Sequence, residues 1–377
     1  MKFLLIVHYF LPHVGGMEAV VFKQARSLVE KGHEVTVITC RPDDTSPLTE
    51  SRDGFNIRRI RALNFIEKKF GVTYPLISPF YFFKLVREIN NYDVIHLHDV
   101  FYMTAHIAAL AAWLKGRKYF LTQHVAMVDH PSKLVMATQR IVYKIFGDVI
   151  FKKAEKIVCY NINVKNFLLS RGVKEEKILQ NYNGIDTKFY SPIDQKTKNK
   201  LKKQYGLDDK KPVVLFVGRL VPKKGYDIVA QAVDKKYTTL IVGGGDGSTK
   251  YRKYPNLKYF GNANESQLRD LYRMSDVFTF PAIGEMLTLV QQEAMACGIP
   301  QITAKNSGYD SYRLDDNLIK FVDRNVSDLK KHINDILSKP ILSKKMSDYS
   351  RKIAIERFDW VKNYHVEYSI YNIGKLV

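Results

Sequence analysis

Two glutamates, Glu285 and Glu293, have the spacing in this sequence that most directly suggests chemistry. They lie eight positions apart in the segment Pro281–Pro300, which follows an apolar run that ends at Phe280. We predict a strand up to Phe280, a loop that carries Glu285, and a helix that starts near Thr288 and contains Glu293. Eight helical positions span about 12 Å, which is enough to reach from a sugar to a ribose across a diphosphate at the helix N-terminus. Two ordinary surface glutamates are the alternative.

A second group consists of two cations in a short loop bounded by glycines. Arg219 and Lys224 lie between Gly218 and Gly225, directly after the apolar run Val213–Val217. A guanidinium and an ammonium group are what a departing diphosphate needs when no metal neutralises it. The chain contains no Asp-x-Asp, the usual carboxylate pair for a donor-bound metal, and we therefore expect no obligatory metal and no other cofactor. Solvated loop charges are the alternative.

Loops at other predicted strand ends add candidate ligand contacts. Gly15 and Gly16 would allow close backbone approach at the start of the first helix, although they form neither a complete dinucleotide fingerprint nor a P-loop. The cluster Gly243–Gly247 has a similar place in the second half of the chain. His124 follows the predicted strand Tyr119–Thr122, where an imidazole can hydrogen-bond a sugar hydroxyl in the crevice of an α/β sheet. A tight turn and a structural histidine remain the alternatives.

Histidines and cysteines give no convincing metal site. His96 and His98 would share one face of a strand, but no third ligand is apparent, and we expect packing and hydrogen bonding there. The three cysteines, Cys40, Cys159 and Cys297, are far apart and match neither a disulfide framework nor a zinc knuckle. Reduced thiols are typical of a cytosolic protein.

The elements that must position these residues occur in two similar halves. An apolar strand at Lys2–Val7, an amphipathic helix and a strand at Val35–Thr39 form a βαβ unit. The pattern breaks near Asn183–Asp186 and starts again with the strand Val213–Val217. We therefore predict an α/β protein in which two Rossmann-like domains face each other across a cleft, with ligands at the carboxyl ends of the strands.

The charge of the chain attracts anions without identifying them. Its 377 residues include 59 Lys and Arg against 38 Asp and Glu, a net charge of +21 that is spread over both halves. A basic nucleic-acid-binding protein is one interpretation, but no recognised module or aromatic-basic stacking motif supports it. The segments Phe65–Phe70 and Tyr81–Lys84 mix aromatic residues with cations, as membrane-interfacial segments do. We expect docking on an anionic membrane surface, with ordinary core packing and solvated charges at both segments as the alternative, and no nucleic-acid partner.

The N-terminus offers no export signal, and no window approaches the roughly 20 apolar residues of a membrane span. We therefore expect a cytoplasmic protein that is either soluble or lies peripherally on the cytoplasmic face of a membrane without crossing it.

Taken together, these segments resemble the retaining glycosyltransferases of family 4, which have the GT-B fold, and the resemblance covers nearly the whole chain. The motifs that carry it, in chain order, are Gly-Gly-x-Glu at Gly15, Gln123-His124, Asn-Gly-Ile-Asp at Asn183, Gly-Arg-Leu-x-x-x-Lys-Gly at Gly218, the glycines around Asp246, Glu-x7-Glu at Glu285, and Phe358-Asp-Trp360. The resemblance implies domains at residues 1–187 (acceptor side) and 188–358 (nucleotide-sugar side), with a C-terminal helix at residues 359–377 that crosses back to the first domain.

The resemblance also implies an activity and residue roles. The chain would move a sugar from a nucleotide-diphosphate donor to a glycan or lipid-linked acceptor, with retention and without a metal. The implied catalytic residues are His124, Glu285, Arg219 and Lys224, and the implied donor-binding residues are Gly15, Gly16, Arg219, Lys224, Glu285, Leu287, Thr288 and Glu293. Arg219 and Lys224 would hold the diphosphate, and His124 would contact the sugar near the reacting carbon. Glu293 would bind the ribose and Glu285 the sugar hydroxyls.

Some residues that the resemblance places near the donor sugar differ from the family pattern. Met286 and Thr288 stand where the family usually has glycine, and Ser307–Ser311 replaces a Gly-Gly-x-x-Glu segment. They leave the identity of the sugar open. A sugar-nucleotide epimerase of similar architecture is the nearest alternative function, because it needs the same nucleotide pocket, but the Glu-x7-Glu helix argues against it.

Overall fold

The computed structural model describes residues 1–13, 15–64, 74–78, 80–127, 132–245, 254, 256–284, 286–305 and 307–371. The chain divides into two compact units. Unit 1 comprises Met1–Tyr182 together with Tyr364–Val377, and unit 2 comprises Asn183–Asn363. Each unit is built around its own sheet, in which parallel strands alternate with helices along the chain.

Unit 1 contains an eight-stranded sheet in the part of the chain that the structure describes. The order is β10-β9-β8-β7-β1-β2-β4-β3, and every neighbouring pair is parallel except β3 with β4. Its strands are β1 (Lys2–Ile6), β2 (Glu34–Cys40), β3 (Thr49–Arg52), β4 (Phe55–Ile60), β7 (Val94–His98), β8 (Phe120–Gln123), β9 (Ile157–Cys159) and β10 (Ile178–Gln180), while β5 (Ala62–Leu63) and β6 (Leu76–Ile77) form a separate antiparallel pair.

The helices of unit 1 are α1 (Gly16–Glu30), α2 (Tyr81–Glu88), α3 (Met103–Leu114), α4 (Lys133–Val142), α5 (Asp148–Lys153) and α6 (Ile162–Ser170), with a π-turn at Tyr143–Gly147 and 3-10 turns at Ile89–Asn91 and Glu175–Lys177. Strand β1 lies between β2 and β7. Phe3–Ile6 is fully buried, as a strand covered on both faces requires. The strand order reverses between β1 and β7, and the loops that follow these two strands therefore flank a crevice.

Unit 2 contains a six-stranded parallel sheet with the order β13-β12-β11-β14-β15-β16 over the described residues. The strands are β11 (Val213–Val217), β12 (Thr238–Val242), β13 (Leu257–Gly261), β14 (Val277–Phe280), β15 (Gln301–Ala304) and β16 (Lys320–Val322). This is the dinucleotide-binding order 3-2-1-4-5-6, whose ligand crevice opens between the first and fourth strands. The loops after β11 and β14 flank that point in unit 2.

The helices of unit 2 are α7 (Gln195–Gln204), α8 (Tyr226–Gln231), α9 (Glu265–Arg273), α10 (Leu289–Ala296), α11 (Val326–Ser338) and α12 (Pro340–Arg357), with 3-10 turns at Pro222–Lys224 and Ser307–Tyr312. Helix α13 (Trp360–Tyr368) then leads the chain back to unit 1, where it ends in the 3-10 turn Ser369–Tyr371. None of the helices in the described ranges is both long enough and apolar enough to traverse a lipid bilayer.

The division between the units falls after Tyr182, whereas the sequence analysis placed it after residue 187. The reason is a short pairing within unit 2. The Ile185 N–H donates to the Phe358 carbonyl at 2.8 Å, and the Trp360 N–H donates to the Ile185 carbonyl at 2.9 Å. A Cβ at Gly184 would lie 2.5 Å from the Cα of Trp360, so this segment packs tightly on the chain that enters α13.

Candidate functional site

Three loops of unit 2 contact one another at the carboxyl ends of the central strands. The Leu220 N–H, in the loop after β11, donates to the Gly244 carbonyl in the loop after β12 at 3.0 Å. The Ile283 N–H, in the loop after β14, donates to the Lys223 carbonyl at 2.9 Å. The segment that contains Arg219 and Lys224 is therefore held between two neighbouring loops, at the point where the strand order predicts a ligand.

Glycines permit this close packing. Gly225 has a φ of +77°, and a Cβ there would lie 2.3 Å from the Pro281 carbonyl oxygen. Gly243 has a φ of +134°, and its Cβ would lie 2.0 Å from the Gly218 carbonyl oxygen. Both contacts are to backbone atoms, which cannot rotate away as a side chain can. The site therefore depends on the absence of side chains at these two positions.

Gly225→Ala is expected to lower the free energy of unfolding by at least about 3 kcal/mol, because it combines left-handed strain with a backbone collision. Gly206→Ala is the matched control in unit 2: its φ is +68°, and a Cβ at that position would have nothing within 4 Å. The control should lose only about 1 kcal/mol. Urea denaturation of both variants measures the difference, and equal losses would contradict the close approach.

The two cations of this loop differ in their surroundings. Arg219 is exposed, and its guanidinium makes no hydrogen bond or ion pair with any residue that the structure describes. Lys224 is half-buried, and its Nζ lies 5.5 Å from the centroid of the Phe280 ring. A guanidinium group has five N–H donors and an ammonium group has three. The loop thus presents cationic hydrogen-bond donors beside the switch point of the sheet, which is suitable for a phosphate ligand.

Helix α10 follows the loop after β14. Thr288 precedes its first residue, and the Gln291 Oε1 accepts hydrogen bonds from the Thr288 N–H and the Tyr309 hydroxyl at 3.1 and 2.9 Å. The Leu289 and Val290 N–H groups donate to no acceptor within the described ranges. Free N–H groups and the helix dipole favour an anion at this end. Leu287 itself is buried, and its carbonyl accepts a hydrogen bond from Gln292 at 3.1 Å.

Glu293 lies in the second turn of α10 and is half-buried. Its Oε2 accepts a hydrogen bond from the Tyr272 hydroxyl at 2.9 Å. Burial, and then the nearby Glu293 carboxylate, raise the pKa of Tyr272 well above its usual value, so the hydroxyl keeps its proton and continues to donate. Glu285 and the part of the glycine cluster from Asp246 onward lie outside the described residues.

The glycine pair of unit 1 has two different roles. A Cβ at Gly15 would lie 2.4 Å from the Oε2 of Glu18, whose buried carboxylate is also 2.6 Å from the Nδ1 of His13. Gly15 therefore makes room for Glu18. Nothing lies within 4 Å of a Cβ position at Gly16, so that backbone is open to approach by a ligand.

His124 follows β8 and is half-buried in unit 1. Its Nε2 lies 3.1 Å from the Nδ1 of His98, and burial lowers the pKa of His124 to about 3. The ring is therefore neutral at physiological pH and can act as a hydrogen-bond donor or acceptor but not as a cation. The hydrogen-bonding roles predicted for His96 and His98 are confirmed: His96 lies 2.7 Å from the Tyr371 hydroxyl and 2.8 Å from the Thr122 hydroxyl.

Among the residues that the structure describes, no three His, Cys, Asp or Glu side chains are grouped so that they could hold a metal ion. All three cysteines are free and buried.

Several residues near these candidate sites were not predicted from the sequence. Asp99 follows β7 with a φ of +63°, is fully buried, and has a pKa that burial raises to about 6. His8 follows β1 and stacks on Tyr102, with 3.7 Å between the ring centroids. A non-glycine residue with positive φ at a strand end often marks a functional constraint, but only the backbone reveals it. Gln291 could have been found from the Thr-x-x-Gln spacing of a capping box with Thr288. Tyr272 gave no local signal, because its partner Glu293 is 21 positions away.

Comparisons with known proteins show which family the chain resembles. The family model described as Glycosyltransferase Family 4 matches residues 14–189, and the model described as Glycosyl transferases group 1 matches residues 197–353. An uncharacterized glycosyltransferase of Methanocaldococcus jannaschii is 24% identical over 96% of this chain and 95% of its own length. A subunit of the phosphatidylinositol N-acetylglucosaminyltransferase of Saccharomyces cerevisiae is 20% identical over 95% of this chain and 79% of its own length.

A solved structure supports the fold. The Anabaena protein HepE, in complex with UDP, superposes with a TM-score of 0.77 at 19% identity, covering 99% of this chain and 100% of that one. The predicted GT-B fold, with two Rossmann-like domains, is confirmed. The two family models together match most of the chain, one in each half. The chain therefore belongs to the family 4 glycosyltransferases of GT-B fold and is a glycosyltransferase enzyme.

Proposed function

We propose that the protein transfers a sugar from a nucleotide-diphosphate sugar to a glycan or lipid-linked acceptor, with retention at the anomeric carbon and without an obligatory metal ion. The observation that carries this proposal is the position of Arg219 and Lys224 in unit 2. They lie in a loop that is hydrogen-bonded to the loops after β12 and β14. The loop after β14 leads into α10, whose first two N–H groups have no acceptor among the described residues. A diphosphate bound there would be neutralised by two cations and two backbone N–H groups.

The proposed step breaks the bond between the anomeric carbon and the diphosphate oxygen. The bonding electron pair leaves with the diphosphate, and the sugar carbon gains positive charge. Arg219 and Lys224 stabilise the departing diphosphate more strongly in the transition state than in the ground state, which is what lowers the barrier. The acceptor hydroxyl then forms the new bond on the face that the diphosphate has left, and its proton passes to the leaving phosphate. We include retention of the anomeric configuration in the proposal because the chain belongs to family 4.

The remaining residues position the donor. Glu293 is proposed to bind the ribose hydroxyls through its carboxylate, which the Tyr272 hydroxyl orients at 2.9 Å. His124 is proposed to hydrogen-bond the transferred sugar as a neutral imidazole. Gly16 leaves space for close approach to the donor. A lipid-linked acceptor is one of the two acceptor classes proposed, and the similarity to a subunit of a phosphatidylinositol glycosyltransferase supports it.

Slow hydrolysis of the donor tests stereochemistry and metal dependence without knowledge of the acceptor. Water replaces the acceptor, and NMR identifies the anomer of the sugar that is first released. We expect the anomeric configuration of the donor, at a rate that EDTA leaves unchanged. Release of the inverted anomer would contradict retention, and activity that EDTA abolishes and Mg²⁺ restores would contradict metal independence. A nucleotide sugar that changes its configuration while the nucleotide stays attached would favour the epimerase.

A further inference from the structure

Unit 1 carries an exposed apolar surface that donor binding does not explain. It is formed by α2, α3 and the segment from the π-turn to α5. Its large exposed side chains, which we call the aromatic face, are Phe83, Leu110, Trp113, Ile145, Phe146 and Val149. Each of these side chains is between 45% and 58% exposed. An exposed apolar patch of this kind on a folded unit usually marks an interaction site.

The aromatic face surrounds a groove of about 780 Å³. Side chains such as Met103, Ile107 and Ile150 also line the groove, together with His106 and Lys153. His106 stacks on Phe146 with 4.4 Å between centroids, and its Nε2 lies 2.7 Å from the Val100 carbonyl oxygen. The lining of the groove is thus almost wholly apolar. Among the described residues that line it, the charged one is Lys153.

The chain segment that supplies Ile145, Phe146 and Val149 to the aromatic face is rich in cations. The segment of residues 133–153 contains five cations, Lys133, Arg140, Lys144, Lys152 and Lys153, all of which are exposed. Its one acidic residue, Asp148, is engaged by the Nε of Arg171 at 2.6 Å. The Nζ of Lys153 lies 5.1 Å from the centroid of the Trp113 ring, so cation and aromatic ring are adjacent on the surface. Aromatic side chains beside lysines are typical of segments that lie at a membrane surface.

This charge pattern distinguishes between two possible partners of the aromatic face, a second copy of the chain and a lipid bilayer. A second copy of the chain in a two-fold dimer would place the same cation-rich surface against itself, and like charges across an interface are repulsive. A bilayer with anionic headgroups would instead accept the apolar side chains among its lipids and the lysines against its phosphates. We propose that the aromatic face docks the protein on an anionic lipid bilayer. This proposal goes beyond the transfer reaction, because it concerns binding alone.

The face differs from the one that the sequence suggested. Within the predicted segment Tyr81–Lys84, Phe83 and Lys84 are exposed, but Tyr81 and Phe82 pack against the core. The other predicted segment, Phe65–Phe70, lies outside the described residues. Most of the surface comes instead from α3 and from the segment between α4 and α5.

Co-sedimentation of the full chain with vesicles tests the proposal. The probes are vesicles of phosphatidylcholine with phosphatidylglycerol, and vesicles of phosphatidylcholine alone. One variant combines Trp113→Ser with Phe146→Ser, and a second combines Lys144→Glu with Lys152→Glu. The matched control combines Ile341→Ser with Val361→Ser in unit 2, where these side chains are 77% and 72% exposed. Melting temperatures confirm that each variant is folded, and the charge variant leaves the apolar packing untouched.

We expect the wild-type chain and the control to sediment with the anionic vesicles, less so at high salt, and both face variants to bind at least about tenfold more weakly. We also expect the wild-type chain to bind only weakly to vesicles of phosphatidylcholine alone. The proposal would be overturned if the wild-type chain remained in solution at low salt, or if both face variants bound as the wild type does. It would also be overturned if the face variants only converted a dimer into a monomer, which would assign the face to a second copy.

Discussion

Arg219→Ala is expected to lower kcat for donor cleavage by about 10²–10³-fold, because it removes one preorganised cationic donor from the departing diphosphate. The loss should appear mainly in kcat, since the charge on the leaving oxygen grows in the transition state. Arg219 is exposed and makes no side-chain hydrogen bond or ion pair with the described residues, so its removal should leave the melting temperature unchanged. Initial rates of nucleotide diphosphate release measure the effect.

Neighbouring lysines provide the control for this prediction. Lys224→Ala should cause a loss of similar size, whereas Lys223→Ala should change the rate by less than about threefold, because exposed loop charges interact weakly. Lys223 lies in the same 3-10 turn and is exposed, so the comparison keeps the loop and the net charge constant. Equal effects of Lys223→Ala and Lys224→Ala would indicate general electrostatics rather than a specific contact. A normal rate in Arg219→Ala would contradict the assigned role.

Glu367→Gln is expected to make the protein more stable than the wild type at pH 8 by up to about 3 kcal/mol, and about equally stable at pH 5. Glu367 is buried in unit 1, where it accepts hydrogen bonds from Gln24 and from the Tyr160 hydroxyl, each at 3.0 Å. Burial raises its pKa from 4.5 to about 7. The folded state therefore keeps a proton that the unfolded state has lost between these two values.

The direction of the pH dependence follows from that proton. The stability associated with Glu367 is fully present below about pH 4.5 and is lost as the pH rises to about 7 and above. Buried histidines such as His8 and His96 act in the opposite direction, because burial lowers their pKa to about 3, but this contribution is common to both proteins. Melting temperatures at pH 5 and pH 8 measure the difference. Glu356→Gln, at an exposed position, is the control, and a Glu367 effect independent of pH would contradict the prediction.

Much of the fold followed from the sequence because its signals are local. Apolar runs followed by glycine-containing loops identified β1, β11 and β14 close to their observed bounds, and alternation with helices implied parallel sheets. The positive φ of Gly225 is a requirement that only glycine meets cheaply, which explains why that loop was recognisable. The position of the unit boundary was not predictable, since it depends on the pairing of Ile185 with residues near position 359.

The placement of the candidate site residues in the fold was predictable only where a motif lies within one loop, and their roles stay predictions. Arg219, Lys224 and the start of α10 are each set by a few consecutive residues. The contacts that hold Glu293 and His124 in place come from Tyr272 and His98, which are far away in the sequence. The buried hydrogen-bond network of Gln24 with Glu367 and Tyr371 joins residues more than 300 positions apart, so no local sequence pattern predicts it. Glu285 lies outside the described residues, and its role stays a prediction.

Calorimetric titration with a panel of nucleotide diphosphates and their sugar conjugates, with and without EDTA, tests the central claim most directly. We expect one nucleotide base to bind specifically and with the same affinity in EDTA. Arg219→Ala and Glu293→Ala should each weaken this binding, whereas Lys223→Ala should not. The bound nucleotide should also raise the melting temperature of the wild type. A folded wild-type protein that binds no nucleotide of the panel would contradict the proposed donor site.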